Sequence, residues 1–374
     1  MAITINKTID APYGQRLRHI SSISENDIHK TESKMKHIKC SGSPYEIGQQ
    51  HGQNAKTEVH GSIAFYEAFF KERTQLSWSQ VRDVARAFSP LLESTYPQYL
   101  EEMKGVADGA GTDLDSIIAL NVRTEIAYGM LSDGCTAFSW KTSDESFIGQ
   151  NWDWRIEQNP NIVSLSIEQP PKPTIKMMTE GGIIGKIGLN SAGVGVTLNA
   201  IAAPGVSYNK LPVHLALRTV LDSSSREEAA NALRKVGVAA AGHITIADAS
   251  TGAIGFECSA LDIVEMPMDQ RGICTHSNHL VKEHKVQGSA FLPDSPFRLM
   301  RIQELLAGID KPNLQNLNEA LKDEKNYPGA ICRAVGEKSA MQTLFSIVMD
   351  LTHGFARVKM GRPSEDGEVF DLRP

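Results

Sequence analysis

The stretch Asp133-Gly134-Cys135-Thr136-Ala137-Phe138 (DGCTAF) decides how this 374-residue chain is interpreted. A cysteine is a good nucleophile only as the thiolate, and a nearby amine can accept its proton. An α-amino group titrates near pH ~8 and a cysteine near ~8.5, so the two groups are well matched for proton exchange. We therefore predict that the chain cuts its own Gly134–Cys135 bond and that Cys135 becomes a new N-terminus carrying both nucleophile and base.

Gly134 suits the position before the cut because it has no Cβ and can adopt conformations closed to other residues. The Cys135 thiol can then reach back to the Gly134 carbonyl carbon, and the N-to-S shift would give a thioester that water resolves. A Gly-Cys pair on its own more often marks a structural cysteine, since unpaired cysteine is among the most buried residue types.

A second stretch, GQNWDW at residues 149–154, follows closely. With DGCTAF it closely resembles the fungal isopenicillin N acyltransferase family, a branch of the N-terminal-nucleophile (Ntn) hydrolases that include penicillin V acylase and bile-salt hydrolase. Further segments resemble this family in the same order, over roughly residues 35–370: MKHIKCSGSPYEIGQQHG (35–52), LNVRTEIAYG (120–129), TIKMMTEGGIIGKIGLNSAGVGVTLNA (174–200), VHLALR (213–218), THSNHL (275–280), NYPGAICRA (326–334) and MGRP (360–363).

The resemblance implies an α+β fold, a four-layer αββα sandwich with a helical N-terminal pro-segment. We expect residues 1–34 to be a polar extension, although Ile3 to Ile9 could add an edge strand. Residues 35–134 would be the mainly helical pro-segment, which becomes the α subunit after cleavage. Residues 135–374 would be the αββα catalytic segment, the β subunit.

Hydrophobic periodicity agrees with this plan. Apolar residues recur at helical spacing from about residue 45 to 128, and Asp113 is the predicted N-cap of a helix Leu114–Tyr128. After Cys135 we predict short strands at 136–140, 146–151, 162–168, 174–179, 183–189, 193–198, 243–247, 253–258, 262–265, 272–275, 343–350 and 355–359. Further helices are predicted at 212–221, 226–236, 295–307 and 314–322.

The resemblance also assigns roles to individual residues. Asp153 matches the carboxylate that holds the amino group of the nucleophile, Asn199 and Asn278 match the asparagines of the oxyanion hole, and Arg333 matches an arginine that packs against the nucleophile. Each could instead be structural, and Asp153 could cap a turn after Trp152. Bile-salt and penicillin V acylases often carry arginine where this chain has Gln150, whereas the fungal acyltransferases have glutamine.

Two other motifs have competing interpretations. The run Cys274-Thr275-His276-Ser277-Asn278-His279 invites a zinc site, but its two- and three-residue spacings would need a helix or tight loop and a distant Cys258. The glycine-rich run 181–186 superficially resembles a phosphate loop, yet it lacks the spacing and the Ser or Thr after lysine. We predict no metal site here and turns with close backbone approach at 181–186.

Composition excludes several classes. A net charge of −6 argues against a nucleic-acid partner. No apolar run approaches the ~18 to 20 residues that span a bilayer. Five scattered cysteines indicate free thiols in a reducing compartment. The chain lacks a signal-peptide core and ends in Leu372-Arg373-Pro374, which is not a peroxisomal address, so we expect a cytoplasmic protein.

The expected activity is acyl transfer from an acyl-CoA, or a similar thioester or amide, through a Cys135 acyl-enzyme to a small-molecule amine. Acyl-CoA would be a co-substrate, with no cofactor bound, and the cleaved pro-segment would stay as one half of an α/β heterodimer. The sequence leaves two alternatives open. If water replaces the amine, the protein is an amidohydrolase of the penicillin V acylase or bile-salt hydrolase type, and without activity it would be a binding partner with the same fold.

Overall fold

A computed structural model describes residues 35–127, 134–288, 292–337 and 339–374 of the chain. The predicted extension 1–34, with its candidate edge strand, therefore lies outside the described residues, as do Tyr128 and Asp133. Strand β1 (Lys36–Ser41) opens the described part, and seven helices then follow: α1 (Pro44–Asn54), α2 (Lys56–Thr74), α3 (Trp78–Arg86), α4 (Ser89–Thr95), α5 (Pro97–Ala110), α6 (Leu114–Asn121) and α7 (Arg123–Ile126).

Local capping explains where several of these helices begin. The Ser43 side chain accepts a hydrogen bond from Glu46 N while Glu46 Oε2 accepts one from Ser43 N, which is a capping box at the start of α1. Asp113 caps α6 by accepting from Ser116 N at 2.9 Å, as predicted. The predicted helix 114–128 is interrupted at Val122, whose backbone leaves the helical region (φ −115°, ψ 24°).

Helices α1 and α5 cross at very short range because glycines face each other at the contact. A Cβ added to Gly48 would lie 1.9 Å from Glu102 O, and one added to Gly105 would lie 2.1 Å from Tyr45 O. No other residue type fits at these positions without separating the helices.

The described residues that follow form strands β2–β14 of two sheets and four α-helices. The strands are β2 (Gly134–Lys141), β3 (Ser146–Arg155), β4 (Ile162–Glu168), β5 (Ile175–Glu180), β6 (Ile187–Asn190), β7 (Val194–Ala200), β8 (Gly242–Asp248), β9 (Gly252–Cys258), β10 (Ile263–Pro267), β11 (Ile273–His276), β12 (Met341–Asp350), β13 (Phe355–Met360) and β14 (Val369–Leu372). The helices are α8 (Val213–Leu221), α9 (Arg226–Val236), α10 (Ser295–Ala307) and α11 (Leu314–Leu321).

Within the described residues, one sheet has eight strands in the order β1-β4-β5-β6-β7-β8-β9-β10 and the other has six in the order β11-β2-β3-β12-β13-β14. The sheets pack face to face through β2 and β3 on one side and β7, β8 and β9 on the other. Helices α8 and α9 cover the eight-stranded sheet, and α10 and α11 cover the six-stranded sheet. The predicted α+β four-layer αββα sandwich is confirmed.

Two strands were not predicted from the sequence. Strand β1 pairs in parallel with β4, and β14 pairs antiparallel with β13. Both lie at a sheet edge, where one side of a strand is free of partners and polar residues are tolerated. Strand β3 is also longer than predicted, because Trp152 to Arg155 continue the ladder, so the alternative of Asp153 as a turn cap is wrong.

Across the described ranges, no helix combines the length and apolar character needed to cross a bilayer.

Candidate active site

Cys135 is the second residue of β2, and both faces of this strand are covered. In the ladder with β3, Gly134 pairs with Asp153 and Cys135 pairs with Trp152. Because side chains alternate along a strand, Cys135 and Trp152 point to the core between the two sheets, while Gly134 and Asp153 are directed to the helical layer of α10. Cys135 and Asp153 are both fully buried.

The backbone at Gly134 leaves no space for a side chain. A Cβ placed there would lie 2.7 Å from Asp153 Oδ2 and 2.9 Å from Arg333 Nε, closer than real Cβ atoms approach other atoms. The residue before Cys135 must therefore be glycine as long as Asp153 and Arg333 keep their positions. This requirement is steric.

Asp153 is held by two side chains that follow it in the sequence by nearly two hundred residues. Thr343 Oγ1 donates to Asp153 Oδ1 at 2.7 Å, and Arg333 Nε donates to Asp153 Oδ2 at 3.3 Å. Thr343 Oγ1 in turn accepts from Arg333 N at 3.0 Å. Burial raises the pKa of Asp153 from its ordinary value, and the guanidinium of Arg333 opposes that rise.

Two residues that the sequence reasoning missed complete this network. Arg298, on α10, donates from Nη1 to Cys135 O at 2.6 Å and from Nη2 to Asn278 Oδ1 at 2.8 Å. Asp294, four residues earlier, accepts from Arg298 Nε at 2.7 Å and also from Arg333 Nη2. Two arginines thus face two aspartates in the interior, which is the balance that buried charges require. Burial and the neighbouring Arg333 lower the pKa of Arg298.

Asn278 lies directly against the nitrogen of the predicted cut. Cys135 N donates to Asn278 Oδ1 at 2.9 Å, and the amide group of Asn278 donates from Nδ2 to Ala200 O at 2.9 Å. Its own backbone N donates to Ser295 Oγ at 2.7 Å, which ties it to the first residue of α10. In the uncleaved chain, Asn278 therefore contacts Cys135 through its oxygen, and its part in an oxyanion hole stays a prediction.

Asn199 is placed on β7 of the opposite sheet, beside the segment that carries Asn278. Its Nδ2 makes only a long contact of 3.5 Å with His276 O, and its Oδ1 has no hydrogen-bond partner among the described residues. Of the residues singled out from the sequence, Cys135, Asp153, Asn278 and Arg333 are joined by direct contacts or through Arg298 and Asp294. Among the described residues, Asn199 is linked to this group through its contact with the backbone of His276.

A second buried charge cluster lies on the Cys135 side of β3. Lys186 Nζ lies 3.5 Å from the centre of the Trp152 ring and pairs with Glu180, which also faces Arg123 Nε at 3.5 Å. Burial alone would raise the pKa of Glu180, but Lys186 and Arg123 lower it to about 2. The glycine-rich run before Lys186 is a turn as predicted, since a Cβ on Gly181 would lie 2.5 Å from the backbone of Glu58.

The histidines of the run 274–279 are engaged with protein groups. His276 Nε2 lies 2.7 Å from Glu257 Oε1, and His279 Nδ1 lies 2.8 Å from Ser295 Oγ. The structure, over the residues it describes, brings together no group of three or more His, Cys, Asp or Glu side chains that could hold a metal ion. All five cysteines are buried thiols outside any disulfide.

Comparison with known families and curated proteins gives a consistent result. The family described as acyl-coenzyme A:6-aminopenicillanic acid acyl-transferase matches residues 140–365. The curated acyl-coenzyme A:6-aminopenicillanic-acid-acyltransferase 40 kDa form of Emericella nidulans is 39% identical over 342 residues, which is 90% of this chain and 95% of the relative.

Solved structures show more distant similarity. An N-acylethanolamine-hydrolyzing acid amidase ortholog of Caenorhabditis elegans aligns with a TM-score of 0.45 and 17% identity, over 58% of this chain and 93% of its own. A variant of the conjugated bile acid hydrolase of Clostridium perfringens aligns with a TM-score of 0.47 and 15% identity, over 64% of this chain and 92% of its own.

Proposed function

The chain belongs to the acyl-coenzyme A:6-aminopenicillanic acid acyl-transferase family, and from this premise we propose that it is a self-processing acyltransferase whose nucleophile is the Cys135 thiol. It first cleaves its own Gly134–Cys135 bond. It then transfers an acyl group from an acyl-CoA, or a similar donor, through a Cys135 thioester to an amine of the 6-aminopenicillanic acid type or another secondary-metabolite amine.

Processing begins when Cys135 Sγ attacks the Gly134 carbonyl carbon. The Gly134 C–N bond breaks, the nitrogen of Cys135 takes up the proton released from the thiol, and the acyl group rests on sulfur as a thioester. Water hydrolyses this thioester to give a Gly134 carboxylate, and Cys135 regains its thiol with a new α-amino group. The observation that carries the proposal is the 2.9 Å hydrogen bond from Cys135 N to Asn278 Oδ1, because this acceptor serves the nitrogen both as amide and as amine.

Cleavage also changes what Asp153 faces. Gly134 occupies the space next to Asp153 Oδ2 and Arg333 Nε in the uncleaved chain. Once the peptide bond is broken, the new amino group of Cys135 can approach this carboxylate, which favours the protonated amine and orients it. The aspartate whose pKa is raised by burial thereby gains a compensating charge.

In the mature enzyme, the α-amino group accepts the proton of the Cys135 thiol, and the thiolate attacks the acyl donor. The oxyanion is held by Asn199, Asn278 and a backbone N–H, and amide donors of this kind are worth ~3 kcal/mol each. Coenzyme A leaves as the thiol when the donor is an acyl-CoA. An amine then attacks the Cys135 thioester, which forms the new amide and frees the enzyme.

The two pieces stay together after cleavage as an α/β heterodimer. Strand β1 of the first piece pairs with β4 of the second, and the side chains of Ile47, Tyr66 and Val106 are buried in the same core as Trp152. Separating the pieces would expose this apolar surface at a cost of ~25 cal/mol per Å². The pieces therefore stay associated after the peptide bond is broken.

Intact mass under denaturing conditions tests processing directly. We expect the wild-type protein to give two pieces divided between Gly134 and Cys135, and Cys135→Ala to give one uncut chain. A single 374-residue chain in both would refute the assignment of Cys135 as an N-terminal nucleophile.

A second experiment separates transfer from hydrolysis. Processed protein is incubated with phenylacetyl-CoA, with and without 6-aminopenicillanic acid, and the amide product and the free acid are quantified. Acyl transfer requires an amide that appears only with the amine and is absent in Cys135→Ala. Free acid as the sole product with every amine offered would make the protein an amidohydrolase or thioesterase that uses the same acyl-enzyme.

A further inference from the structure

Glu257, on β9, binds the segment that carries Asn278 at four points. Its Oε1 accepts from Val281 N at 2.7 Å and lies 2.7 Å from His276 Nε2. Its Oε2 accepts from Lys282 N at 2.8 Å and lies 3.1 Å from His284 Nε2. All four partners belong to residues 276–284, on both sides of Asn278, and the Glu257 side chain is fully buried.

We call Glu257 and its four contacts with residues 276–284 the clamp, and the two histidines extend it at either end. His276 Nδ1 lies 2.8 Å from Ser277 O, and His284 Nδ1 lies 2.8 Å from Asp262 Oδ1. Each ring therefore has a protein oxygen within hydrogen-bond distance of both nitrogens. Carboxylates and rings alternate in space as Asp262–His284–Glu257–His276.

The clamp is connected to the candidate active site through neighbouring strands and a stacked pair of rings. Asn199, His243 and Glu257 are direct neighbours across β7, β8 and β9, so they share the face between the two sheets. The His276 ring stacks on the His243 ring with centroids 3.8 Å apart, and His276 O accepts the long contact from Asn199 Nδ2.

We propose that Glu257 is a positioning residue that fixes the segment 276–284, so that Asn278 is held against Cys135 N and Asn199 against His276 O. The consequence for the reaction rests on the proposed function, since it assumes that Asn278 and Asn199 act on the nucleophile and its oxyanion. Glu257 contacts neither Cys135 nor the bond to be cut. It acts through the chain that it holds, and a misplacement of about 1 Å at a reacting centre can reduce a rate about 10²-fold.

A matched control lies at the other end of the same hairpin. Asp248, on β8, is also a buried carboxylate that accepts backbone donors, from Thr251 N at 2.6 Å and Ser250 N at 3.1 Å. It supports the β8–β9 turn, whereas Glu257 stands at the opposite end of β9 and supports the segment 276–284. Asp248→Asn should therefore lower the melting temperature without moving Asn278.

The experiment measures self-cleavage by timed intact mass for Glu257→Gln, Glu257→Asp and Asp248→Asn. We expect Glu257→Gln to slow cleavage by about 10- to 100-fold, Glu257→Asp to recover part of the rate because it keeps the charge, and Asp248→Asn to stay within about 2-fold of wild type. Wild-type cleavage by Glu257→Gln, or equal slowing by Asp248→Asn at an equal loss of melting temperature, would overturn the proposal.

Hydrogen exchange makes the clamp testable even if the chain is never cleaved. In the Cys135→Ala background, Glu257→Gln should reduce the protection of the Val281 and Lys282 amides by at least about 10-fold, the effect of losing roughly 1.4 kcal/mol of hydrogen bonding. Unchanged protection refutes the clamp itself. If Glu257→Gln does not fold, Asp262→Asn, which removes only the outer carboxylate, should loosen the same amides to a smaller extent, and no loosening there would also refute it.

Discussion

Gly134 and Asp153 face each other across β2 and β3 at such short range that a methyl group on Gly134 would lie 2.7 Å from Asp153 Oδ2. The proposed cut therefore follows a residue whose lack of a side chain is a packing requirement of the carboxylate network. The same carboxylate, through Arg333 and Asp294, is connected to Arg298, which binds the carbonyl oxygen of Cys135. The backbone around the bond is thus connected to the buried charges by a continuous set of hydrogen bonds and ion pairs.

Substitution of Gly134 by alanine should slow self-cleavage by about 10²-fold, because Asp153 or the strand must move aside and the bond is displaced with it. The measurement is the cleaved fraction against time by intact mass. Gly242→Ala is the matched control, since a Cβ there would meet its nearest neighbour, Leu198 Cδ1, at 3.5 Å, which is ordinary contact. Cleavage of Gly134→Ala at the wild-type rate would show that the close approach to Asp153 has no bearing on processing.

Two substitutions of Asn278 should separate its acceptor and donor roles. Asn278→Ala removes the acceptor of Cys135 N–H and should slow self-cleavage by about 10²-fold. Asn278→Asp keeps an acceptor oxygen, although its second oxygen faces Ala200 O, so its cleavage rate should be intermediate. Thioester turnover by cleaved Asn278→Asp should nevertheless fall by about 10²-fold or more, because the amide N–H donor is lost. Equal defects of Asp and Ala in cleavage would exclude the acceptor role.

Arg298 is expected to be needed for cleavage although no motif marked it. Arg298→Lys keeps the charge but cannot reach Cys135 O, Asn278 Oδ1 and Asp294 together, so we expect cleavage slowed by about 10-fold and a loss of roughly 1–2 kcal/mol of stability. Intact mass and urea unfolding give the two quantities. The control is Arg301→Lys on the same helix, where the side chain is 22% exposed and paired with Asp323. Similar cleavage rates for both variants would contradict the expected role.

Several elements could be predicted from the sequence because their signals are local. The predicted bounds of β4, α9 and α10 agree with the structure residue for residue. Helix α9 starts at the N-cap Ser225, and α10 has Pro296 in its first turn, so both begin with residues that favour helix starts. The register of β2 against β3, which sets Gly134 opposite Asp153, gave no comparable signal because it depends on pairing between strands.

The candidate site was predicted only where a motif existed. Cys135 was predicted from the DGCTAF stretch, and Asp153, Asn199, Asn278 and Arg333 from the resemblance to a family. The structure adds the contacts of these residues. Asp294 and Arg298 carry a weak local signal, an acidic and a basic residue four apart at the start of a helix. Glu257 carries none, since its partners lie 19 to 27 residues away and meet it only through the packing of β9 against the segment 276–284.

Glu125, on α7, should make the stability of the uncleaved protein fall as the pH rises. Its Oε1 accepts from Val213 N at 2.7 Å, and its buried Oε2 has no partner in the part of the chain that the structure describes. Burial raises the pKa of Glu125 from 4.5 to about 7 against the hydrogen bond of Val213, so the folded state binds this proton more tightly than the unfolded state. Ionisation of Glu125 therefore reduces the free energy of unfolding. This reduction is absent below pH ~4.5, grows up to pH ~7 and is then constant.

Glu125→Gln replaces the ionisable carboxyl group with a neutral amide. The variant should therefore be more stable than its parent above pH ~7 by up to about 3 kcal/mol, while the two proteins should be equally stable near pH ~4. Urea unfolding from pH ~4 to ~8 in the Cys135→Ala background checks this, because that background keeps the chain in one piece. Glu319→Gln, at a side chain that is 68% exposed, is the control and should give no pH-dependent difference. A constant offset between Glu125→Gln and its parent at every pH would mean that Glu125 keeps its ordinary pKa in the folded protein.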